Sequence, residues 1–177
     1  VVLCCMAGSC MDLSPYADRA AAVIQTWYPG AEGGQVLADI LAGKTAPSGK
    51  LPVTFYGGDY EIPDFTDYSL KNRTYRYVEQ GVLYPFGYGL TYGRAEVISA
   101  AYDQKSKKGS YEIVNRSYRA VEETVQVYKK NRTSKWEVRN TVLCGFAKVC
   151  LAPGETRQGE IQLDEYAFTV VNDQGKR

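Results

Sequence analysis

Histidine is absent from the 177-residue chain, and that absence excludes several chemistries at once. No Ser-His-Asp or Cys-His nucleophile, no His-ligated zinc and no His general base can be assembled within it. An excess of either charge is missing too: 21 Lys+Arg oppose 20 Asp+Glu, for a net charge of +1. A general electrostatic grip on nucleic acid or anionic lipid needs a basic excess, so neither partner is expected. No apolar run approaches the roughly 18 residues of a membrane span. The cysteines, Cys4, Cys5, Cys10, Cys144 and Cys150, include no C-x-x-C pair. Neither a metal site nor a disulfide framework is expected; these side chains read as small buried hydrophobes in a reducing, cytoplasmic compartment. The N-x-S/T triplets at Asn72, Asn115 and Asn131 would matter only in a secreted chain.

The chain is 45% hydrophobic, enough to bury a core in one domain or two small ones. It opens on Val1-Val2-Leu3-Cys4-Cys5-Met6, a buried-strand pattern without a lead-in or an initiator Met, so the polypeptide is expected to begin upstream. Ser14-Pro15 predicts a helix start, a capping hydroxyl followed by a proline suited to the first turn. Tyr16, Ala20, Val23, Ile24 and Trp27 then recur at helical spacing, and Pro29-Gly30 ends the run. Val36, Leu37, Ile40 and Leu41 predict a second helix with Gly43 at its C-terminal cap. Pro47-Ser48-Gly49 is a turn, and Leu51-Pro52-Val53-Thr54-Phe55 reads as a strand. Strand, helix, helix and strand with short connections indicate an α/β layer belonging to a larger sheet.

Residues 57–94 are rich in Gly, Tyr, Asp and Pro and read as a long connection pinned by aromatic rings, with one strand at Thr74-Tyr75-Arg76-Tyr77-Val78. Beyond Arg94 the pattern is all β, with strands expected at 95–102, 110–114, 123–129, 145–151 and 157–163 and a short one at 168–171. Within 123–129, Val125, Val127 and Lys129 share one face. Ala152-Pro153-Gly154-Glu155 is a turn between two strands. Short strands separated by turns point to a β-sandwich of immunoglobulin or fibronectin type III kind. The fold class is thus α/β followed by all-β, divided at 1–94 and 95–177.

Gly30-Ala31-Glu32-Gly33-Gly34-Gln35 lacks both the G-x-G-x-x-G spacing and the G-K-[ST] ending of a phosphate loop. Its glycines read instead as allowing close packing, and Glu32 as complementing a helix dipole. Glycoside cleavage needs only a pair of carboxylates. Asp12, Asp18, Glu32, Asp39, Asp59, Glu61, Asp64 and Asp67 are available, but no context separates any of them from a solvated surface charge. The chain's 15 Tyr, 2 Trp and 5 Phe suit stacking on sugar rings and suit loop pinning equally.

Several phrases taken together are more specific. Trp27-Tyr28-Pro29-Gly30-Ala31-Glu32-Gly33-Gly34, Pro47-Ser48-Gly49-Lys50-Leu51-Pro52-Val53-Thr54-Phe55, Asn72-Arg73-Thr74-Tyr75-Arg76-Tyr77 and Tyr84-Pro85-Phe86-Gly87-Tyr88-Gly89-Leu90 resemble, in order, phrases of glycoside hydrolase family 3. Glu122-Glu123-Thr124-Val125-Gln126-Val127-Tyr128, Leu143-Cys144-Gly145-Phe146 and Leu151-Ala152-Pro153-Gly154-Glu155-Thr156 resemble that family's terminal fibronectin-III-like module. The resemblance implies the second part of the family's C-terminal α/β sandwich domain followed by a fibronectin-III-like domain lacking its last strand. An isolated chain of this kind is expected to be marginally stable or aggregation-prone.

The resemblance further implies a retaining β-xylosidase or β-glucosidase, whose Asp nucleophile comes from a TIM-like barrel and whose acid/base is often a Glu of the α/β domain. The nucleophile's S-D-W phrase has no counterpart here, since Trp27 follows Thr26 and Trp136 follows Lys135. The usual Glu lies before the opening strand. No catalytic, cofactor-binding or metal-ligating residue is therefore assigned, and no cofactor is expected. The expected partners are the missing N-terminal barrel and a β-linked oligosaccharide or glycoside. The competing reading is a stand-alone carbohydrate-binding or adhesion module without catalysis.

Overall fold

The computed structural model describes all residues from Val1 to Arg177, which form two compact units. Unit one comprises Val1–Thr45 and Lys50–Gly89, and unit two comprises Ala46–Gly49 and Leu90–Arg177.

In unit one, β1 (Val2–Cys5) pairs in parallel with β2 (Ala22–Gln25), in the register Val2 to Ala22 through Cys5 to Gln25. The crossover between them holds only a single helical turn, α1 (Ser14–Ala17). The long helix expected over residues 14–27 is therefore corrected. An apolar run as short as Ala20-Ala21-Ala22-Val23-Ile24 fits helix or strand by periodicity, and the β-branched pair Val23-Ile24 settles into the ladder beside β1. Pro15 does sit in the first turn, but Leu13 rather than Ser14 occupies the N-cap. The Ser14 hydroxyl instead accepts the Gly58 N–H at 2.9 Å.

The second helix, α2 (Gly33–Leu41), forms as the periodicity predicts, and Gly43 follows it at φ 70°, the left-handed conformation expected of a C-terminal glycine. The predicted strand over 51–55 shrinks to β3 (Phe55–Tyr56), because Pro52 has no N–H to give a ladder. Leu51 pairs elsewhere, donating to Tyr88 O and accepting from Gly87 N–H, both at 2.8 Å. The partner of β3 is β4 (Val82–Tyr84), antiparallel to it. The strand expected at 74–78 is instead a helical turn, α3 (Thr74–Tyr77), with both Asn72 and Thr74 at positive φ. Cys5, Leu13 and Phe55 are the buried centre of this unit, with Leu3, Val23, Trp27, Leu51, Leu83 and Tyr84 packed around them.

Unit two is a β-sandwich. One sheet has the order β5 (Ala95–Asp103), β6 (Lys108–Asn115), β9 (Thr156–Gln162); the other pairs β7 (Val121–Lys129) with β8 (Val142–Leu151). Tyr111, Ile113 and Ile161 from the first sheet meet Val125, Val149 and Leu151 from the second in one core. Tyr111 lies so close over Gly159 that a Cβ there would stand 2.4 Å from its ring end, so glycine as the cross-strand partner lets the ring lie where it does. Asn115 is 1% exposed and fully employed: its amide faces the carbonyls of Arg119, Leu151 and Ala152, and its Oδ1 accepts Ser117 N–H. The 152–155 turn forms as expected, with Gly154 at φ 72°. The short strand expected at 168–171 is absent. Asp164 and Tyr166 carbonyls close turns with Ala167 and Thr169 instead, and Phe168 packs on Tyr102 at 4.8 Å.

Lys129 lies on the inward face of β7, as its alternation predicts, and is buried. Its ammonium donates to both oxygens of Glu137, at 2.9 and 2.8 Å, with the two side chains 8% and 5% exposed. Removing one partner of such a pair strands a charge, whereas replacing both by apolar groups does not. Lys129→Met should therefore lower the stability of unit two by about 3–5 kcal/mol, while Lys129→Met with Glu137→Leu should unfold close to the parent midpoint in urea. Equal midpoints for the single variant and the parent would contradict this.

Candidate functional site

Parallel strands place their carboxyl ends at one edge, and in α/β layers that edge is where ligands and partners are met. Here β1 runs out into residues 6–12 and β2 into residues 26–34. Side chains fasten the two exits together. Gln25 Nε2 donates to Ala7 O at 2.6 Å, and the Thr26 hydroxyl donates to Cys5 O at 3.0 Å. Trp27 takes φ 55°, which turns the chain sharply off the strand, and its ring meets Phe55 edge-on at 6.3 Å. The Tyr28 ring covers Gly8, where a Cβ would come within 2.5 Å of it. Gly33 similarly admits the Pro29 ring, as expected of a packing glycine, whereas Gly34 faces open space. Met6, Met11 and Tyr28 are exposed around this crest, Tyr28 by 80%. Glu32 stands at the N-cap of α2 without a side-chain capping bond.

The candidate carboxylates are not brought together at this crest. Asp12 accepts the Ser14 N–H, and its carboxyl is held below the usual range chiefly by Ser14. Asp64 accepts both the N–H and the hydroxyl of Thr66, and Asp67 accepts the same pair of groups from Ser69. Those bonds lower both acids, with Arg73 adding a smaller effect. A general acid at a glycosidic oxygen needs the opposite shift. Asp39 is taken by Gln35 and Lys44 at 2.9 and 3.3 Å. Asp18, Glu32, Asp59 and Glu61 are solvent-exposed. In unit two, a hollow of about 410 Å³ on the β5-β6-β9 face includes Glu112 and Glu160, and Lys108 engages Glu160 at 2.7 Å. No three His, Cys, Asp or Glu residues group as metal ligands.

The cysteines correct one expectation. All five are free thiols, but only Cys5 is buried; Cys10 and Cys150 are exposed. Cys10 nevertheless donates its S–H to Thr54 O. Residues 57–94 are pinned by rings, as anticipated: Tyr56 stacks on Tyr60 at 4.0 Å, Tyr75 on Phe86 at 3.9 Å and Tyr84 on Tyr88 at 5.5 Å. Tyr60 donates to Asn72 O, and Tyr56 Oη accepts Thr74 N–H. The strand-exit residues Gln25 and Thr26 escaped sequence reasoning because residues 14–27 read as one helix. The adjacent Trp-Tyr-Pro-Gly phrase was the available signal that the strand ended there.

Residues 1–92 match the description "Glycosyl hydrolase family 3 C-terminal domain", and residues 123–177 match "Fibronectin type III-like domain". The chain belongs to glycosyl hydrolase family 3. Within the family it is 39% identical, over 88% of its length, to a xylan 1,4-β-xylosidase of Xylanibacter ruminicola, of which it covers 18%. It is 33% identical, over 99% of its length, to a periplasmic β-glucosidase of Salmonella typhimurium, covering 25% of that protein. The crystal structure of a β-glucosidase from Streptomyces venezuelae superposes on 99% of this chain with a TM-score of 0.83 at 25% identity, and 25% of that structure is covered. The chain therefore spans a quarter or less of the family members named here.

The lowered acids have a readable consequence. Because the folded carboxyls of Asp64 and Asp67 lie below the unfolded value of 3.8, their stabilisation of the 64–69 turns is complete above that value. It is lost as pH falls through the lowered folded values. Amide exchange at Thr66 and Ser69 should accelerate over that acidic window and in Asp64→Asn and Asp67→Asn; pH-independent relative exchange would contradict the assignment.

Proposed function

We propose that this chain is the non-catalytic C-terminal portion of a retaining exo-β-glycosidase that removes terminal β-xylosyl or β-glucosyl residues. An N-terminal catalytic barrel would supply the nucleophile, and the crest of unit one would shape and support the rim of the substrate pocket. The observation that carries this reading is the incomplete cover of the parallel pair. Parallel sheets are stable when both faces are buried, yet β1 and β2 bury only Cys5 fully. On α2, Val36 and Leu41 are about half exposed, at 52% and 49%. Ile62, Phe65 and Tyr68 are each more than 80% exposed. Apolar surface on this scale marks a place where further protein sits. The candidate acids of unit one, built into turns, paired on α2 or left in solvent, support a scaffolding role over a catalytic one. The substrate class rests on the relatives named as a xylosidase and β-glucosidases.

Aryl β-xyloside and aryl β-glucoside hydrolysis tests this. The chain alone should show no turnover. A hybrid joining the N-terminal part of the Xylanibacter ruminicola relative to this chain should hydrolyse at least one of the two. Turnover by the chain alone, or a folded hybrid inactive on both glycosides, would overturn the reading.

A further inference from the structure

We infer that the β7–β8 hairpin of unit two is a docking surface for an acidic, uronate-bearing polysaccharide. The inference rests on the glycosidase reading for the sugar, and on the hairpin's own chemistry for the rest. The chain as a whole is nearly neutral, but residues 126–148 are not: Lys129, Lys130, Arg132, Lys135, Arg139 and Lys148 stand against the single acid Glu137. Glu137 is buried and already neutralised by Lys129, so Lys130, Arg132, Lys135 and Arg139 define the field of the hairpin tip, with Lys148 further back along β8 opposite Thr124.

The same hairpin carries aromatic rings in solvent. Alternation along β7 and β8 turns Val121, Val125, Val149 and Leu151 inward. Glu122, Thr124, Gln126, Phe146 and Lys148 consequently share the outward face, with the acid Glu122 at the end away from the tip, and Tyr128, past a register shift, joins it by donating its hydroxyl to Gln126. Gln126 is directly opposite Phe146, and Tyr128 lies one position further toward the tip. Phe146 is 65% exposed and Tyr128 36%. In the connecting loop, Trp136 is 41% exposed, with the Lys135 ammonium 4.4 Å from its ring centre. Aromatic faces accept the C–H faces of sugar rings, while Lys and Arg at the tip would pair with carboxylates spaced along the chain. A neutral glycan would leave the cations unused, and a small anion would leave the rings unused.

The loop is also held in shape before any ligand arrives. The Lys129–Glu137 pair anchors it to the core. Lys130 Nζ donates to the carbonyls of Val138 and Arg139. Asn131 Oδ1 accepts from Thr133 N–H, the Thr133 hydroxyl and Ser134 N–H. Order of this kind lowers the entropic cost of binding.

Isothermal titration of the full 177-residue chain with glucuronoxylan, and with the same polymer after reduction of its carboxylates to alcohols, tests the inference. Saturable binding to glucuronoxylan is expected, weaker by about tenfold or more for the reduced polymer and on raising NaCl from about 0.05 to about 0.5 M. Phe146→Ser, and Arg132→Ser with Lys135→Ser, should each weaken it by about tenfold with the unfolding midpoint unchanged. Equal binding to both polymers, no binding by folded chain, or tighter binding to single-stranded RNA than to glucuronoxylan would overturn it. Binding is read without turnover, so failure here is separate from failure of the glycosidase reading in the aryl-glycoside assay.

Discussion

The parallel pairing of Val2–Cys5 with Ala22–Gln25 is the contact on which unit one depends. A parallel ladder cannot be joined by a tight turn, so the chain must leave the end of one strand, cross over and return. That requirement puts residues 6–12 and 26–34 at one edge. At that edge Gln25 and Thr26 fasten the strand exits together, and the Tyr28 ring lies over Gly8. Cys5, Leu13 and Phe55 then seal one side of the ladder. What remains apolar and uncovered is a consequence of the same geometry, since a two-stranded parallel sheet has too little width to bury both of its faces with its own connections.

Unit two works under a different constraint. Its sheets are antiparallel and meet face to face in one shared core, and its polar demands are local. Asn115 answers the turn carbonyls at one end of the sandwich, and the Lys129–Glu137 pair ties down the loop at the end of β7. The contrast assigns different work to the two units. The first leaves apolar side chains exposed around its parallel pair, and the second presents charge and aromatic rings to solvent.

The β-sandwich was legible in the sequence because period-2 alternation is strong where one face is buried and the other wet. The strands of unit two accordingly fall within a few residues of their expected places. Helix α2 and its Gly43 cap were legible for the equivalent reason at period 3.6. Residues 14–27 were not, because a short apolar run such as Ala20-Ala21-Ala22-Val23-Ile24 between Arg19 and Gln25 satisfies either period and only the distant β1 decides. Thr74 was misread because strand propensity favours Thr-Tyr-Arg-Tyr-Val, whereas Tyr56 Oη takes the Thr74 N–H and the turn closes through Val78. The alternation placed Lys129 on the same face as Val125 and Val127, but nothing local named Glu137 as its partner. The family phrases supplied what patterning could not. They tied the α/β layer and the β-sandwich to one family, though they left the eight candidate acids of unit one without roles until each was seen in its turn, its pairing or in solvent.

Hydrogen exchange at the amides of Val2–Cys5, Ala22–Gln25 and Gly33–Leu41 tests most directly whether the parallel layer depends on further protein for its cover. It should be measured in the chain alone and again with a family 3 catalytic barrel joined to it. In the chain alone these amides should exchange faster than those of Lys108–Asn115, and the joined barrel should slow them by at least about tenfold. Amides of the parallel pair that are already as protected as the β6 strand, and unchanged in the joined protein, would contradict the account.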